Sequence, residues 1–436
     1  MRITVIGCGY LGVTHAAGMA ELGYEVVGLE VDPRRVEELS AGRVPFFEPD
    51  LEDLLSRHVA AGNLRFTTSV EEAGAFGEVQ FLCVGTPQQA QGLGADLSQV
   101  EGAVTAIAPH LRGDAIIVGK STVPVGTAER LVTLLDEHRA EGASPRLAWN
   151  PEFLREGFAV KDTLRPDRLV FGVTEPSAEA TLREVYAKVL ADGTPCVVTD
   201  LATAEMVKVS ANAFLATKIS FINAIAEMCE AAGADVWDLA EAIGHDARIG
   251  RKFLNAGIGF GGGCLPKDIR AFQHRAGELG VDHVTSLMRE VDAINLHRRE
   301  RVGQIALEML GELAGARVAV LGAAFKPDSD DVRDSPALAV AGQLHLAGAD
   351  VAVYDPKANA NAAKRFPTPT YADSVLDACR DADLVLHLTE WPEFRSLTPA
   401  DLDGVVRRKQ LLDGRNLLDA DVWRDAGWTF RSMGRR

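Results

Sequence analysis

The chain has 436 residues, of which 47% are hydrophobic, and its formal net charge is −17 at pH 7. This length suggests roughly three domains of ~150 residues each, and the hydrophobic share is ordinary for packed globular domains. The acidic balance argues against a nucleic-acid partner, because a surface for the phosphate backbone needs an excess of basic residues.

The six cysteines lie far apart, with no CxxC pair, no Cys/His cluster and no HExxH motif: Cys8, Cys83, Cys196, Cys229, Cys264 and Cys379. This spacing indicates neither a metal site nor a disulfide framework, and it fits a reducing cytoplasm. The chain opens on "MRITVIGCGYLG" without a charged leader, and no uncharged apolar run approaches ~18 residues. We therefore expect a cytoplasmic protein with no membrane segment and no metal.

The first part of the chain alternates short β-branched strands with helices. Strands are predicted at "ITVIG", "EVVGLEVD", "VQFLCVG" and "AIIVGKSTVP", and helices at stretches such as "THAAGMAELG" and "QVEGAVTAIAPHL". Such alternation is typical of a parallel sheet covered by helices. We predict a Rossmann-like domain over residues 1–198.

A long apolar-periodic segment, roughly residues 201–232, follows with few breakers and predicts one long helix. Further helices are expected to about residue 300, which gives a central helical domain over 199–312. A helix of that length is expected to pack between domains or against a second subunit. Strand and helix alternation returns from "RVAVLGAAF" through "DVAVYDP" and "DLVLHL" to "KQLLDGRN" and predicts a second Rossmann-like domain over 313–436.

A dinucleotide fingerprint lies at the front of the chain. Gly7, Gly9 and Gly12 form GxGxxG between a predicted strand and a predicted helix. The first glycine permits the tight turn, the second lets a pyrophosphate approach the backbone, and the third lets helix and strand pack. The helix N-terminus then points at the anion.

An acidic residue should end the second strand and accept hydrogen bonds from the adenosine ribose. Glu30 closes the run "VVGLE" and is preferred, with Asp32 as the neighbouring alternative. A carboxylate here repels a 2′-phosphate, so NAD is favoured over NADP, although Arg35 lies nearby.

The stretch "GFGGGCLPKD" places one thiol, Cys264, behind three glycines and just before Lys267 and Asp268. A nicotinamide enzyme that oxidises an aldehyde to an acid must first make the carbon tetrahedral, and a thiolate could do this. Lys267 could lower the thiol pKa, and Asp268 could orient a water or take a proton. The alternative is a small buried cysteine, which is the commoner role.

Other segments carry polar groups that fit this chemistry. Lys208 and Asn212 are four residues apart on a predicted helix and could together hold an oxyanion, or they could be a snorkelling lysine and an outward amide. Thr122 ends a strand, where parallel sheets bind ligands. Glu152 and Glu156 follow in "NPEFLREG", although such pairs are more often a solvated helix face.

Taken together and in order, the motifs resemble the UDP-glucose/GDP-mannose dehydrogenase family over nearly the whole chain. The stretches that carry the resemblance are "GCGYLG", "STVPVGT", "NPEFLREG", "KVSANAFLATK", "RIGRKFLNAGIGFGGGCLPKD", "GAAFKPDSDDVRDSP" and "DGRN". The cysteine loop and the pattern FKPxxDDxRxSP are specific to that family, whereas the opening fingerprint is not.

The resemblance implies an NAD-dependent, two-step oxidation of a nucleotide sugar's C6 alcohol to a carboxylate. By motif, Cys264 is similar to the family's nucleophile, Asp268 and Thr122 to the residues that position the water, and Lys208 with Asn212 to the oxyanion stabilisers. The resemblance also implies a set of cofactor-binding residues: Gly7, Gly9, Tyr10, Leu11, Gly12, Glu30, Arg35, Thr86, Thr122, Glu156, Lys267 and Arg333.

Substrate contacts are implied in the same way. They are Glu152, Phe153, Leu154, Arg155, Lys208, Asn212, Arg248, Phe253, Leu254, Asn255, Ala256, Gly257, Gly261 and Lys326. Glu152 resembles a group near the sugar. Arg248 resembles a residue that reaches a substrate bound by a partner subunit, so a homodimer through the long helix is expected. The role of Arg415 in "DGRN" stays open.

The sequence departs from the family pattern at two positions, and several alternative functions remain open. Glu30 stands where relatives usually carry aspartate, and Gly263 where they often carry a larger residue, which bears on the shape of the pocket. UDP-glucose is the favoured substrate, and the alternatives are dTDP-glucose, GDP-mannose or a UDP-N-acetylhexosamine. A simple two-electron dehydrogenase would leave Cys264 idle, and a silent nucleotide-sugar binder would need none of the catalytic set.

Overall fold

The structure, a computed structural model, describes residues 1–435. The chain forms two compact units, Met1–Ala211 and a second that begins at Asn212. Each unit contains one mainly parallel sheet, and each is described here by itself.

The first unit is built on eight strands: β1 (Arg2–Ile6), β2 (Glu25–Leu29), β3 (Leu64–Thr67), β4 (Val79–Leu82), β5 (Ile116–Gly119), β6 (Arg146–Trp149), β7 (Leu169–Gly172) and β8 (Cys196–Thr199). Their order in the sheet is β3-β2-β1-β4-β5-β6-β7-β8. All neighbours pair in parallel except β6 and β7, which meet antiparallel through Trp149 and Gly172. The predicted strands correspond to β1, β2, β4 and β5, which pair in parallel as expected, whereas β6 and β7 lie outside the strands that were predicted.

Helices cover both faces of this sheet: α1 (Tyr10–Glu21), α2 (Pro33–Ser40), α3 (Leu51–Ala61), α4 (Val70–Phe76), α5 (Ser98–Ile107), a 3₁₀ turn (Ala108–His110), α6 (Thr127–His138), α7 (Ala159–Leu164), α8 (Pro176–Val185) and α9 (Ala187–Ala191). Strand residues alternate between two cores: Ile3 and Val5 of β1 join one apolar cluster and Ile6 joins the other. This two-sided burial explains why the strands read as nearly continuous apolar runs.

The long helix α10 spans Leu201–Ala232 without a break, at the residues predicted for it. Its length and composition would also allow it to cross a membrane, and 44% of its most apolar window is buried inside the protein. Within the described residues it is the one helix with this property. This is weak evidence for a membrane span, because the core helix of a soluble protein has the same features.

The second unit continues with α11 (Val236–Gly244), α12 (Leu265–Glu278) and α13 (Asp282–Leu310). Its six strands are β9 (Arg317–Leu321), β10 (Asp350–Tyr354), β11 (Thr370–Tyr371), β12 (Leu384–His387), β13 (Gln410–Asp413) and β14 (Thr429–Ser432). They pair in parallel in the order β11-β10-β9-β12-β13-β14.

Helices flank this second sheet as well: α14 (Pro336–Leu346), α15 (Asn359–Arg365), α16 (Val375–Cys379), α17 (Pro392–Arg395), α18 (Pro399–Leu402) and α19 (Ala420–Asp425). Val302, Ile305 and Ala306 of α13 are buried in the same apolar cluster as the strands. The predicted fold class is confirmed: two Rossmann-like sheets of mainly parallel strands are joined by a helical region that contains one long helix.

Candidate active site

Two of the three fingerprint glycines are required by their surroundings. Gly7 has a φ of +86°, and a Cβ there would lie 2.8 Å from the Val84 side chain. A Cβ on Gly12 would overlap the Gly7 carbonyl oxygen. A Cβ on Gly9 would meet no atom within 4 Å, so this face of the loop is open at the N-terminus of α1. The open face fits the pyrophosphate of a dinucleotide.

Glu30 follows β2 directly, and its side chain is buried against the fingerprint. Its carboxylate accepts hydrogen bonds from the N–H groups of Val31 (2.8 Å) and Cys8 (3.2 Å), and the Arg35 guanidinium lies 3.4 Å away. Asp32, the alternative, instead caps α2 by accepting the N–H of Arg34 (3.0 Å). The geometry therefore favours Glu30 as the acid beside the cofactor loop, with part of its charge offset by Arg35.

Two predicted cofactor residues meet at the carboxyl edge of the first sheet. The Thr86 hydroxyl donates to the Thr122 carbonyl oxygen at 2.8 Å. Beside them, the Ser121 hydroxyl donates to the Val84 carbonyl oxygen at 2.6 Å. These bonds join the loops after β4 and β5, which are neighbours in the sheet, so the placement expected for Thr122 follows from strand order.

The predicted substrate segment begins with a tightly held carboxylate. One oxygen of Glu152 accepts the N–H groups of Phe153 (2.6 Å) and Leu154 (2.5 Å). The other lies 3.4 Å from the ammonium of Lys120, which is 4% exposed. Glu152 is therefore not on a solvated helix face, because residues 151–155 form no helix at all.

The same segment brings Lys208 of α10 to the predicted substrate residues. The Lys208 ammonium lies 5.5 Å from the centre of the Phe153 ring, and the Arg168 guanidinium lies 3.8 Å from it. Arg155 is instead paired with Asp162 at 2.6 Å. Lys208 is buried, which excludes the simple snorkelling alternative.

Glu205 is a buried group of the first unit that sequence reasoning missed. It is 1% exposed, and its carboxylate accepts the N–H groups of Gly126 (2.8 Å) and Ala128 (2.6 Å) at the start of α6. It thereby fixes the loop that carries Thr122 to α10. An acid in the apolar stretch "AEMVKV" was the available signal, but its partners lie almost eighty residues away.

In the second unit, four predicted residues gather at the start of α12. Cys264 is the N-cap of this helix and is exposed. Asp268, one turn on, is 2% exposed, and its N–H donates to the Cys264 carbonyl oxygen at 3.0 Å. Its carboxylate accepts the Asn212 amide at 2.6 Å and pairs with Lys267 at 2.5 Å. Asn212 therefore faces Asp268 and does not point outward.

The other thiols lie in less accessible surroundings. Cys8, Cys83, Cys229 and Cys379 are buried, and Cys196 is intermediate. Burial raises the pKa of Cys83 and that of Cys379 to about 12, so neither forms a thiolate at neutral pH. Exposure separates Cys264 from all of them.

The three glycines before Cys264 allow close packing against the loop after β9. The N–H of Gly262, whose φ is +87°, donates to the Arg333 carbonyl oxygen at 2.9 Å. A Cβ on Gly261 would collide with the Asp334 carbonyl, and one on Gly263 would overlap the Arg333 guanidinium. A larger residue at position 263 would require the Arg333 side chain to move. The glycine that this chain carries there, where relatives often have a larger residue, therefore fits the observed position of Arg333.

The loop "FLNAG" alternates exposed and buried side chains. Phe253 and Asn255 are exposed, whereas Leu254 and Ala256 are buried. Phe253 has a φ of +65°, an uncommon conformation for an aromatic residue. The loop therefore presents an aromatic ring and an amide to solvent in a fixed and strained shape.

The end of that loop is clamped by two fully buried polar residues that sequence reasoning missed. The N–H of Gly257 donates to the Asn223 side chain at 2.8 Å, and its carbonyl accepts from Arg298 at 3.1 Å. Both side chains are 0% exposed and come from the long helices α10 and α13. No local sequence signal marks them, because Asn223 reads as one polar residue in an apolar helix and Arg298 as one of several charged residues in "HRRER".

The remaining predicted residues lie on loops of the second unit. Lys326 stands 5.4 Å from the Phe325 ring centre, and the exposed Arg248 pairs with Asp246 at 2.6 Å. Arg415 donates to the carbonyl oxygens of Leu388 (2.7 Å), Gly259 (3.3 Å) and Phe325 (3.2 Å). Arg415 thus ties the cysteine loop to the loop that carries Lys326.

Comparison with known proteins shows the family to which the chain belongs. Three sequence models of one family match in order: the NAD binding domain at residues 1–190, the central domain at 202–297 and the UDP binding domain at 319–420. The chain belongs to the UDP-glucose/GDP-mannose dehydrogenase family. The open fingerprint of the first unit therefore belongs to an NAD-binding domain, as predicted.

Named members of the family match over the full length. A UDP-glucose 6-dehydrogenase of Rhizobium meliloti is 41% identical, with 100% of both chains covered. One of Bacillus subtilis is 39% identical and covers 100% of this chain and 98% of its own length. A solved UDP-glucose dehydrogenase of Pyrobaculum islandicum has a TM-score of 0.92 at 38% identity, covering 100% of this chain and 98% of that one. Within residues 1–435 no three or more His, Cys, Asp or Glu side chains are grouped so that they could hold a metal ion.

Proposed function

We propose that the chain is an NAD-dependent UDP-glucose 6-dehydrogenase, which oxidises the C6 alcohol of UDP-glucose to the carboxylate of UDP-glucuronate. The observation that carries the proposal is the exposed Cys264 with Asp268, Lys267 and Asn212 at the start of α12. A dehydrogenase that only interconverts alcohol and carbonyl has no need of a nucleophile, whereas oxidation of an aldehyde to an acid does.

In the proposed reaction the substrate loses two hydrides and gains one water oxygen. When bound, NAD supplies the hydride acceptor, one molecule for each oxidation. After the first oxidation, the Cys264 thiolate adds to the C6 aldehyde and forms a thiohemiacetal. Loss of the second hydride gives a thioester, and water then cleaves it to release the carboxylate and the thiol. The thiolate lies at the N-terminus of α12, where unpaired N–H groups favour an anion.

Other side chains of this family member assist those steps. Asp268 and Thr122 position the water that cleaves the thioester, and Lys208 with Asn212 stabilises the negative charge that develops on the substrate oxygen. The bond from Asn212 to Asp268 and the burial of Lys208 support these roles, because both groups are held in one orientation. Glu152 lies near the sugar, and its carboxylate is fixed by backbone donors.

The ligand-binding residues are proposed as they were predicted. Those for NAD are Gly7, Gly9, Tyr10, Leu11, Gly12, Glu30, Arg35, Thr86, Thr122, Glu156, Lys267 and Arg333. Those for the nucleotide sugar are Glu152–Arg155, Lys208, Asn212, Arg248, Phe253–Gly257, Gly261 and Lys326. Arg415 is added here as a residue that shapes the substrate loops through three backbone carbonyls.

A homodimer through α10 is part of the proposal. Phe214, Phe221 and Met228 are spaced by seven residues on this helix, and they are 66%, 50% and 64% exposed. This spacing forms one apolar stripe, which a second copy of the helix would cover. Arg248, 88% exposed at its side chain, would then reach the partner's substrate.

We also propose three domains, 1–198, 199–312 and 313–436, in a cytoplasmic protein without a membrane span. The three matched family segments fall inside or close to these limits. The apolar character of α10 is then explained by packing within the unit and across the dimer.

The proposal is tested by incubating the purified protein with NAD and a panel of nucleotide sugars while NADH is followed. The panel contains UDP-glucose, dTDP-glucose, GDP-mannose and a UDP-N-acetylhexosamine. We expect UDP-glucose to give the highest kcat/KM and UDP-glucuronate as the product. A higher kcat/KM for another member of the panel would replace the proposed substrate.

A further inference from the structure

The segment from Glu152 to Glu156 is neither helix nor strand. It nevertheless carries residues proposed to bind the nucleotide sugar and residues proposed to bind NAD. Two buried charged side chains hold it from both sides: Lys120 pairs with Glu152 at its front, and Glu48 accepts the N–H of Gly157 directly behind Glu156. We propose that Lys120 and Glu48 are positioning residues that set the shape of this segment, Lys120 for the sugar half and Glu48 for the cofactor half. This inference rests on the proposed function.

Lys120 can hold Glu152 because a buried ammonium needs a charged partner in this place. The Lys120 ammonium is 4% exposed, and Glu152 is its one ion-pair partner within the described residues. It also donates to the Asn150 side chain at 3.0 Å and lies 3.4 Å from the Tyr186 hydroxyl. A buried ammonium is costly unless it is paired, so the pair fixes one oxygen of Glu152 while backbone donors fix the other.

Lys120 stays charged in this setting. Burial alone would lower its pKa, but the interactions with Tyr186 and Glu152 outweigh burial and raise the pKa to about 12. The ammonium is therefore present over the whole working pH range. Because Glu152 is its ion-pair partner, a change at Lys120 acts on the segment through Glu152.

Glu48 links the back of the segment to the fingerprint. One oxygen of its buried carboxylate accepts the N–H of Gly157 at 2.6 Å and the hydroxyl of Tyr10, and the other accepts the N–H of Ala159 at 2.7 Å. Gly157 directly follows Glu156, and Tyr10 is the first residue of α1. A carboxylate accepts at both oxygens, whereas an amide would turn an NH₂ group toward one of these donors.

Substitutions at the two ends of the segment should therefore change different kinetic constants. Lys120→Met leaves Glu152 without its cation, and we expect kcat to fall ~10-fold or more while the KM for NAD changes less than ~2-fold. Tyr186→Phe removes only the neighbouring hydroxyl and should lower kcat in the same direction by a smaller factor. It keeps the test valid if Lys120→Met does not fold.

Glu48→Gln should instead weaken the binding of NAD. We expect the KM for NAD to rise ~5-fold or more, with kcat within ~3-fold of wild type, because Tyr10 and Gly157, the residue after Glu156, lose their common anchor. Tyr10→Phe should give part of this rise, and adding it to Glu48→Gln should have a smaller effect than it has alone.

The matched control is Asp383→Asn in the second unit. Asp383 is also a buried carboxylate that accepts a backbone N–H, from Arg317 at 3.0 Å, and it pairs with Arg407 at 2.9 Å. This variant should lower stability and leave both kinetic constants unchanged. If Lys120→Met and Glu48→Gln instead lower only the amount of folded, active enzyme, as a purely structural role predicts, the inference is overturned.

Titration of NAD binding by protein fluorescence, without a sugar, separates this inference from the proposed function. Weaker NAD binding by Glu48→Gln than by wild type supports positioning by Glu48 even if no nucleotide sugar is oxidised. Equal binding overturns that half of the inference even if UDP-glucose is oxidised. Failure of wild type to oxidise any member of the panel counts against the proposed function alone.

Discussion

Cys264 differs from the other five cysteines in both exposure and position. It caps the N-terminus of a helix, whereas burial raises the pKa of the thiols at Cys8, Cys83 and Cys379. An exposed thiol at such a helix end is where nucleophilic chemistry is expected. The glycine loop before it then serves to bring this residue against the loop of Arg333 and Asp334 without steric conflict.

Replacing Cys264 with serine should stop the proposed reaction after the first oxidation or at the ester, because an alkoxide is harder to form than a thiolate. Overall turnover should fall by orders of magnitude, roughly 10³-fold or more, while NAD still binds. Steady-state rates, together with mass spectrometry of the variant after exposure to UDP-glucose and NAD, measure this outcome.

The control for that variant is Cys379→Ala, which removes a buried thiol at the end of α16. It should lower stability and leave turnover per folded molecule unchanged. Near-normal turnover of Cys264→Ser would remove Cys264 from the chemistry and leave the glycines explained only by packing.

Glu30 should make the enzyme prefer NAD. Its carboxylate lies beside the fingerprint, and a 2′-phosphate there would meet a negative charge that Arg35 offsets only in part. We expect kcat/KM for NAD to exceed that for NADP by ~10²-fold, and Glu30→Gln to narrow this ratio. Comparable kcat/KM values for the two cofactors in wild type would contradict the role of Glu30.

His15 should make the stability of the protein depend on pH. It is buried, and burial and then the charge of Lys120 lower its pKa well below 6.5. Between the two pKa values the unfolded state binds more protons, so stability falls as pH drops below about 6.5.

The loss expected from His15 between pH 7.5 and 5.5 is about 1.4 kcal/mol, and His15→Leu should not show it. Urea unfolding followed by fluorescence at both pH values measures the difference. The same pH dependence in wild type and variant would show that His15 is not the group responsible.

At the level of elements, α10 has two different faces. Its buried face carries Glu205, Lys208, Asn212 and Asn223, and its exposed stripe is apolar. Phe221→Glu should place a charge in the middle of that stripe and convert a dimer into monomers, because an unpaired charge is costly in a buried interface. Light scattering coupled to size-exclusion chromatography measures the mass.

The control on another helix is Leu346→Glu on α14, where an isolated leucine is 87% exposed. It should leave the mass unchanged. A monomeric wild-type protein, or a Phe221→Glu variant with unchanged mass, would argue against the dimer through α10.

Local patterns predicted the elements well. The fingerprint, the long helix and the glycine loop before Cys264 each carry their signal within about thirty residues, in glycine spacing or apolar periodicity. The antiparallel pair of β6 and β7 was not predicted, because strand direction depends on where the connecting chain runs and not on strand composition.

The buried carboxylates that hold the loops of the site could not be predicted from the sequence, for a related reason. Glu48 bonds to the backbone 109 residues later, and Glu205 to the backbone 77 residues earlier. Every residue except proline has a backbone N–H group. The sequence therefore does not indicate which of these groups a buried carboxylate will bind. These contacts become visible only when the fold brings distant segments together.

At the scale of the whole molecule, the proposed reaction needs groups carried by both units. In the proposal, the first unit carries most of the NAD-binding residues together with Glu152 and Lys208. The second carries Cys264, Asp268 and the loop Phe253–Gly257. The net charge of −17 does not oppose an anionic substrate, because the predicted site residues include four cationic ones: Lys208, Lys267, Lys326 and Arg333.

The central claim is a four-electron oxidation through a thiol, and the ratio of NADH formed to UDP-glucose consumed tests it most directly. Purified wild-type protein is allowed to exhaust a limiting amount of UDP-glucose with excess NAD, while NADH is read by absorbance and the sugar product by mass spectrometry. The account predicts two NADH for each UDP-glucose, with UDP-glucuronate as the product and no released aldehyde. A ratio of one, with an aldehyde or ketone in solution, would contradict it.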